Sequence, residues 1–267
     1  METLATTFSL MGILNVTPDS FFDGGEHFAV DGAVDHAMKL LREGAHIIDI
    51  GGASSRPGAE PVPLEEERRR VIPVVKALSA RCTAPLSVDT TSGVIAREAA
   101  AAGVSYINDI SAGKHDPDIV KVIAETGCRV ILMHSRGTPQ TMAGQTGYDS
   151  VVDDVVRELL ADVKRFRDGG VCQENIVIDP GIGFAKTTEQ NLSLLAGIER
   201  FVATGYPVLL GTSRKSFIGA ITGRDVSERL YGSLGSIAGA YLKGVAMFRV
   251  HDVAATADFL RVMDAVA

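Results

Sequence analysis

The chain has 267 residues, 46% hydrophobic and 22% charged, with a formal net charge of −7. That composition is ordinary for a soluble globular protein and supplies ample apolar surface for a core. The acidic balance excludes a general affinity for nucleic acid or anionic membrane, so an anionic ligand must be met by a few local cations. Cys82, Cys128 and Cys172 are odd in number and in no paired spacing. They form neither a disulfide framework nor a zinc site, which points to a reducing, cytoplasmic setting. The early apolar run "FSLMGILNV" has no basic stretch before it and no cleavage site after it, and it is too short to span a bilayer.

In chain order one unit recurs: a short apolar run, a loop opening on a polar residue or glycine, then an amphipathic helix. The runs are "SLMGILN", "HIIDIGG", "LSVDT", "YINDI", "RVILMH", "NIVIDP", "PVLLGTS" and "AMFRVH". Apolar throughout, they read as parallel strands buried on both faces. Val34, Ala37, Met38 and Leu41 define one helix face, and Val152, Val155, Val156, Leu159 and Val163 another, ending before Gly169 and Gly170. "PLEEERRRVIPVV" puts acids in the first turn of a helix, with Glu65 and Glu66 four residues before Arg69 and Arg70. This charge run reads as a solvated helix face. The repeats fill the whole length without a linker, so residues 1–267 are expected to form a single (β/α)8 TIM-barrel domain of the α/β class. A doubly wound sheet is the runner-up, but its Gly-rich dinucleotide turn is missing after the first strand.

In a (β/α)8 barrel the ligand sits at the C-terminal ends of the strands. Those ends offer Asn15, Asp49, Asp89, Asn108, His134, Asp179, Ser213 with Lys215 just beyond, Arg249 and His251. Any one of these could cap a helix, but capping is a poor account of the whole set. Asp49 is expected to support the others from behind, and Asp252 to cap the last helix. Asp89, Asn108 and Asp179 are short, rigid acceptors, suited to the paired N–H donors of an amino-pyrimidinone edge. Arg56, Lys215, Arg249 and His251 are cationic or potentially so, and Asn15 adds a neutral oxygen. These suit phosphate oxygens and a magnesium ion that keeps most of its waters. The site is expected to take a heterocycle carrying a phosphate or diphosphate. "DPGIGFAKT" lacks the spacing of a nucleotide phosphate loop, so its glycines are read as letting the backbone bend close to a ligand.

The first loop, "NVTPDSFFDGG", places two phenylalanines where a plain connector needs none. Together with "DIGGASSRPGA", "SVDT", "INDI", "MHSRGTPQTM", "DPGIGFAKT", "TSRKSFIG" and "FRVHDV", it stands in the order and spacing of the dihydropteroate synthases, which the chain resembles over nearly its whole length. The resemblance implies a pterin-binding barrel that condenses 6-hydroxymethyl-7,8-dihydropterin diphosphate with p-aminobenzoate in folate biosynthesis, a sulfonamide target acting as a homodimer. It implies that Asp89, Asn108, Met133, Asp179, Phe184 and Lys215 hold the pterin. Arg56, Arg249 and His251 are implied for the diphosphate, and Asn15 for Mg2+. Phe21, Ser55, Pro57, Phe184, Lys215 and Ser216 are implied for the p-aminobenzoate pocket, with Asp23, Asp89 and Lys215 nearest the chemistry. In that family the loops after the first two strands close over diphosphate and magnesium, which would account for Phe21. Ala53 and Ser55 stand where the family has an acid and a threonine, and Phe22 where a serine is usual. Two rival readings are a corrinoid-linked, pterin-dependent methyltransferase and a non-catalytic pterin-binding paralogue.

Overall fold

The computed structural model describes residues 7–17, 26–54, 56 and 58–266, with side chains of the first helix described from residue 30. Eight strands run in the order β6-β5-β4-β3-β2-β1-β8-β7. They are β1 Ser9–Asn15, β2 Ile47–Gly51, β3 Leu86–Asp89, β4 Tyr106–Asp109, β5 Arg129–Met133, β6 Ile176–Asp179, β7 Leu209–Leu210 and β8 Met247–Val250. All seven ladders are parallel. A parallel bridge between Ile178 and Val208 joins the two ends of the sheet, closing the expected (β/α)8 barrel. All eight apolar runs are strands. The seventh is only two residues long, because Pro207 has no N–H to give and the chain leaves the ladder at Gly211 to place Arg214 at φ 59°.

The helices Glu26–Arg42, Leu64–Ser79, Gly93–Ala101, Asp118–Thr126, Val151–Asp168, Thr188–Ala196 and Val253–Val266 each follow a strand. After β7 come two, Ser216–Thr222 and Leu230–Tyr241. Among the described residues no helix is long and apolar enough to cross a membrane. Val34, Ala37, Val155, Leu159 and Val163 are buried against the sheet as their spacing requires. The charge run is only partly a solvated face. Glu66 bonds Arg69 and Arg70, but Arg70 is mostly buried and donates from Nη1 to the carbonyl of Gly52 at 2.9 Å, tying the end of β2 to the helix.

The strand runs look uniformly apolar, yet two different cores share them. Leu10, Ile48, Val88, Ile107, Val130, Ile178, Leu210 and Phe248 pack outward under the helices. Met11, Ile47, Tyr106, Ile131, Val177, Leu209 and Met247 form a separate cluster inside the barrel. Side chains alternate along a strand. The residues two or four positions beyond the inner cluster therefore also face the barrel axis, nearer its C-terminal mouth. They are Asn15, Asp49, Asn108, Met133, Asp179, Arg249 and His251, and Asp89 follows Ser87 on the same face.

Candidate functional site

On β2, β6 and β8 the inner face changes from apolar to charged within one pleat, and this builds the floor of the site. At its base Arg249 reaches across the barrel. Its Nε donates to Asp49 Oδ2 at 2.6 Å and its Nη2 to Asp89 Oδ2 at 2.9 Å. Asn108 Nδ2 donates to the same Asp49 oxygen at 3.2 Å. Asp49 is fully buried, so it orders Arg249 and Asn108 from below, in the supporting role its position suggested. Arg249 is not a free cation. Two of its five N–H donors are committed to carboxylates, and the rest of the guanidinium remains for an anion. Burial raises the Asp89 carboxyl above the ordinary carboxylate range, with Arg249 pulling against it and Asp49 adding to the rise.

Asp179 ends β6 beside Met133, its register partner on β5. Its Oδ1 accepts the N–H of Gly181 at 2.7 Å, so the carboxylate is oriented by its own Pro-Gly turn. Burial raises its pKa, opposed first by Lys215. Lys215 enters from the loop after β7, one residue before the helix Ser216–Thr222. Its ammonium donates to the carbonyl of Ile182 and lies 4.7 Å from the centroid of the Phe184 ring. Burial lowers its pKa to about 8, with Asp179 opposing. Asp89, Asn108, Met133, Asp179, Phe184 and Lys215 thus come together at the mouth. Ser216 follows Lys215 directly as the exposed first residue of its helix.

The expected diphosphate residues divide. His251 pairs with Ser213, whose Oγ is 3.0 Å from Nδ1 and accepts the His251 backbone N–H at 3.2 Å. Burial, with Arg249 and Arg214 close by, lowers its pKa to about 4. Of the two forms that the sequence left open for His251, this favours the neutral imidazole in the absence of an anion. Arg56 is exposed in the loop after β2. Next to it, Gly58 N–H donates to the carbonyl of Pro139 at 2.8 Å and Gln140 Nε2 to that of Ala59 at 2.5 Å, so this loop rests on the loop after β5. Phe21, Asp23, Ser55 and Pro57 lie outside the described residues.

Two strand-end expectations change. His134 does not join the mouth: it is fully buried and bonded to Glu158 and Lys186 behind β5. Asp252 precedes the last helix, but its carboxylate holds Arg214 at 2.9 and 2.5 Å instead of acting only as a cap. Arg214, Lys186 and Glu158 were not foreseen. "SRKSF" and "FAKT" do contain the two basic residues, but periodicity cannot tell a buried cation from a surface one.

Among the described residues no three His, Cys, Asp or Glu side chains gather as a metal cluster. Asn15 ends β1 with an exposed carboxamide. That donor set fits a magnesium ion held mainly by phosphate oxygens and water, with one neutral protein ligand, and fits no metal that needs a full protein cage.

The chain matches the family model of the pterin binding enzymes over residues 11–251. It is 46% identical over 257 residues to a dihydropteroate synthase of Synechocystis, covering 96% of this chain and 89% of the relative. The Bacillus subtilis dihydropteroate synthase is 45% identical, covering 96% of this chain and 87% of its own. Among solved structures, the Xanthomonas albilineans dihydropteroate synthase with 4-aminobenzoic acid superposes with a TM-score of 0.91 at 46% identity, over 97% of this chain and 92% of that one. The Yersinia pestis dihydropteroate synthase with a sulfonamide drug gives a TM-score of 0.92 at 40% identity, over 99% and 96% of the two chains. With this identity spread along nearly its whole length, the chain belongs to the pterin-binding enzyme family, among the dihydropteroate synthases.

Proposed function

We propose that this chain joins the methylene carbon of a dihydropterin diphosphate to the amino nitrogen of p-aminobenzoate, releasing dihydropteroate and diphosphate. The observation that carries the reading is the convergence of buried Asn108 and Asp179 with the largely buried Asp89 at one mouth, beside the cations Arg249 and Lys215. A buried carboxyl with a raised pKa is poorly satisfied alone, and the paired N–H groups of an amino-pyrimidinone would satisfy it. Met133 and Phe184 would pack against the ring. Arg249, Arg56 and His251 would receive the diphosphate, and Phe21, Ser55, Pro57, Phe184, Lys215 and Ser216 the aminobenzoate.

In the reaction the carbon–oxygen bond to diphosphate breaks, a carbon–nitrogen bond forms, and the amine loses a proton to solvent. Magnesium bound beside Asn15 would neutralise charge on the departing diphosphate. Lys215 and Arg249 place positive charge at the leaving side. Asp89, with Asp23, would stabilise positive charge spread over the pterin, while a closed mouth keeps water from the electrophilic carbon. A neutral aniline nitrogen is itself a nucleophile, so no general base is needed.

We further take the active form to be a cytoplasmic homodimer built from one barrel domain per chain. Tyr231, Leu242 and Ile221, exposed at 83%, 69% and 58% on the two helices after β7 and the turn that follows them, support an apolar partner surface there. The test is direct. Purified protein with dihydropterin diphosphate, p-aminobenzoate and magnesium should form dihydropteroate and diphosphate in equal amounts. Pterin binding without turnover would make the chain a non-catalytic paralogue.

A further inference from the structure

Behind the turn that carries Phe184 lies a buried lysine that the chemistry above leaves unused. Within residues 181–185 three positions are left-handed: Gly181 at φ 69°, Gly183 at 82° and Ala185 at 50°. A Cβ on Gly181 would collide with the carbonyl oxygen of His134. Such a backbone persists only where its surroundings over-determine it. Here the surroundings centre on Lys186. Its ammonium donates to Phe184 O at 2.8 Å, Gly181 O at 3.0 Å and His134 Nδ1 at 3.1 Å. A fourth acceptor, His134 O, lies at 3.4 Å, so all three N–H donors of the ammonium are engaged.

The acceptor imidazole is fixed in turn. His134 Nε2 lies 2.9 Å from Glu158 Oε2. The tautomer in which both contacts are hydrogen bonds has Nε2–H donating to the carboxylate and the Nδ1 lone pair facing Lys186. Arg136 bonds Glu158 and lies 3.9 Å over the Tyr148 ring, and the Tyr148 hydroxyl donates to Ala185 O at 3.1 Å. From the far side Gly183 N–H donates to Asn191 Oδ1 at 2.7 Å. On its open face the same turn presents the Ile182 carbonyl to Lys215 and the Phe184 ring beside it.

We propose that Lys186 is a positioning residue: its ammonium fixes the shape of the Gly181–Ala185 turn and, through it, the placement of Phe184 and Lys215 against the pterin. It touches no reacting atom and acts through backbone carbonyls. This rests on the pterin diphosphate reading above.

Lys186→Met keeps an unbranched side chain one atom shorter and removes every donor. The pterin diphosphate KM should rise about tenfold or more while kcat stays within roughly threefold, the split expected when ground-state and transition-state binding are lost together. A lowered Tm with KM within about twofold of wild type would show a merely structural lysine and overturn the proposal. The double variant Lys186→Met/Phe184→Ala should lose less than the product of its single effects, because both act on one contact. Should Lys186→Met be too unstable to purify, Asn191→Ala and Tyr148→Phe each remove one bond from the same turn. Each should raise the pterin KM about two- to fivefold, and unchanged values in both overturn the proposal. Calorimetry with the pterin diphosphate alone separates this question from turnover. A wild type that makes no dihydropteroate ends the functional reading. A variant that binds the pterin about tenfold more weakly still supports the clamp, and equal Kd values overturn it.

Discussion

Arg249 on β8 and Asp49 on β2 stand 200 positions apart in the chain and meet inside the barrel at 2.6 Å. Asp49 lies too deep to reach a ligand, yet it aims the guanidinium expected to receive diphosphate and the amide expected to face the pterin. Asp49→Ala should therefore cost about 3–5 kcal/mol of stability, because it leaves a buried cation with one carboxylate in place of two. Denaturant unfolding measures this. Asp49→Asn keeps the shape and one acceptor, and it should be milder in stability but still weaken diphosphate binding. A folded Asp49→Ala with wild-type stability would show that Asp89 alone holds Arg249.

Asp179→Ala should abolish pterin binding. The carboxylate is pinned by the Gly181 N–H and buried against Lys215, so nothing nearby can replace its second oxygen as an acceptor. Loss of a paired acceptor to two ring donors costs about 2–5 kcal/mol. Calorimetric titration of the folded variant with a pterin is the check, and near-native affinity would remove Asp179 from the pocket.

His251 and His134 share a pKa lowered from 6.5 to about 4, each chiefly by burial, but their surroundings separate them. His251 borders the expected diphosphate site, while His134 is enclosed by Glu158 and Lys186. An anion favours the charged imidazole, so diphosphate should raise the His251 pKa and leave that of His134 in place. Binding then takes up a proton, and diphosphate affinity should strengthen as pH falls from 7 toward 5. Imidazole proton resonances followed with pH, with and without diphosphate, read both groups. A His251 resonance that ignores diphosphate would take it out of that site.

The barrel was legible because its strand runs are apolar on both faces and occur eight times. Their inner and outer faces were not, since Leu10 and Met11, or Ile47 and Ile48, are equally apolar while belonging to different cores. The mouth could be read from Asp89, Asn108, Asp179 and Lys215, short or charged groups that an apolar strand does not need. His134 was misplaced because it was read as a strand end without its parity: Met133 faces the barrel axis, so the next residue turns outward, toward Glu158. The Arg249–Asp49 pair escaped notice because no local pattern links positions so distant. Lys186 escaped because its burial depends on a turn with three left-handed residues.

Lys215 allows a test of pH and of the two pockets together. Burial lowers its pKa to about 8, and Asp179 limits the fall. It is therefore charged below that pH and neutral above, so the attraction it offers an anionic substrate fades as pH rises through 8. Since kcat/KM reports the free enzyme, kcat/KM for the pterin diphosphate should decline on the alkaline side with an apparent pKa near that value. Lys215→Arg keeps a charge that does not titrate in this range, so its profile should lose that limb even though its absolute activity is lower. Burial also lowers the pKa of Lys186, to about 7, and both proteins retain that group, so the difference between the two profiles isolates Lys215. Lys215→Ala should impair both substrates, because the ammonium contacts the Phe184 turn and faces Asp179. Ser216→Ala removes only an exposed hydroxyl one residue on, and it should raise the p-aminobenzoate KM while leaving pterin binding intact. Steady-state KM values for each substrate decide the division. A Ser216 variant weakened toward the pterin alone, or a Lys215→Arg profile that keeps the alkaline decline, would mean that the two pockets do not meet at Lys215.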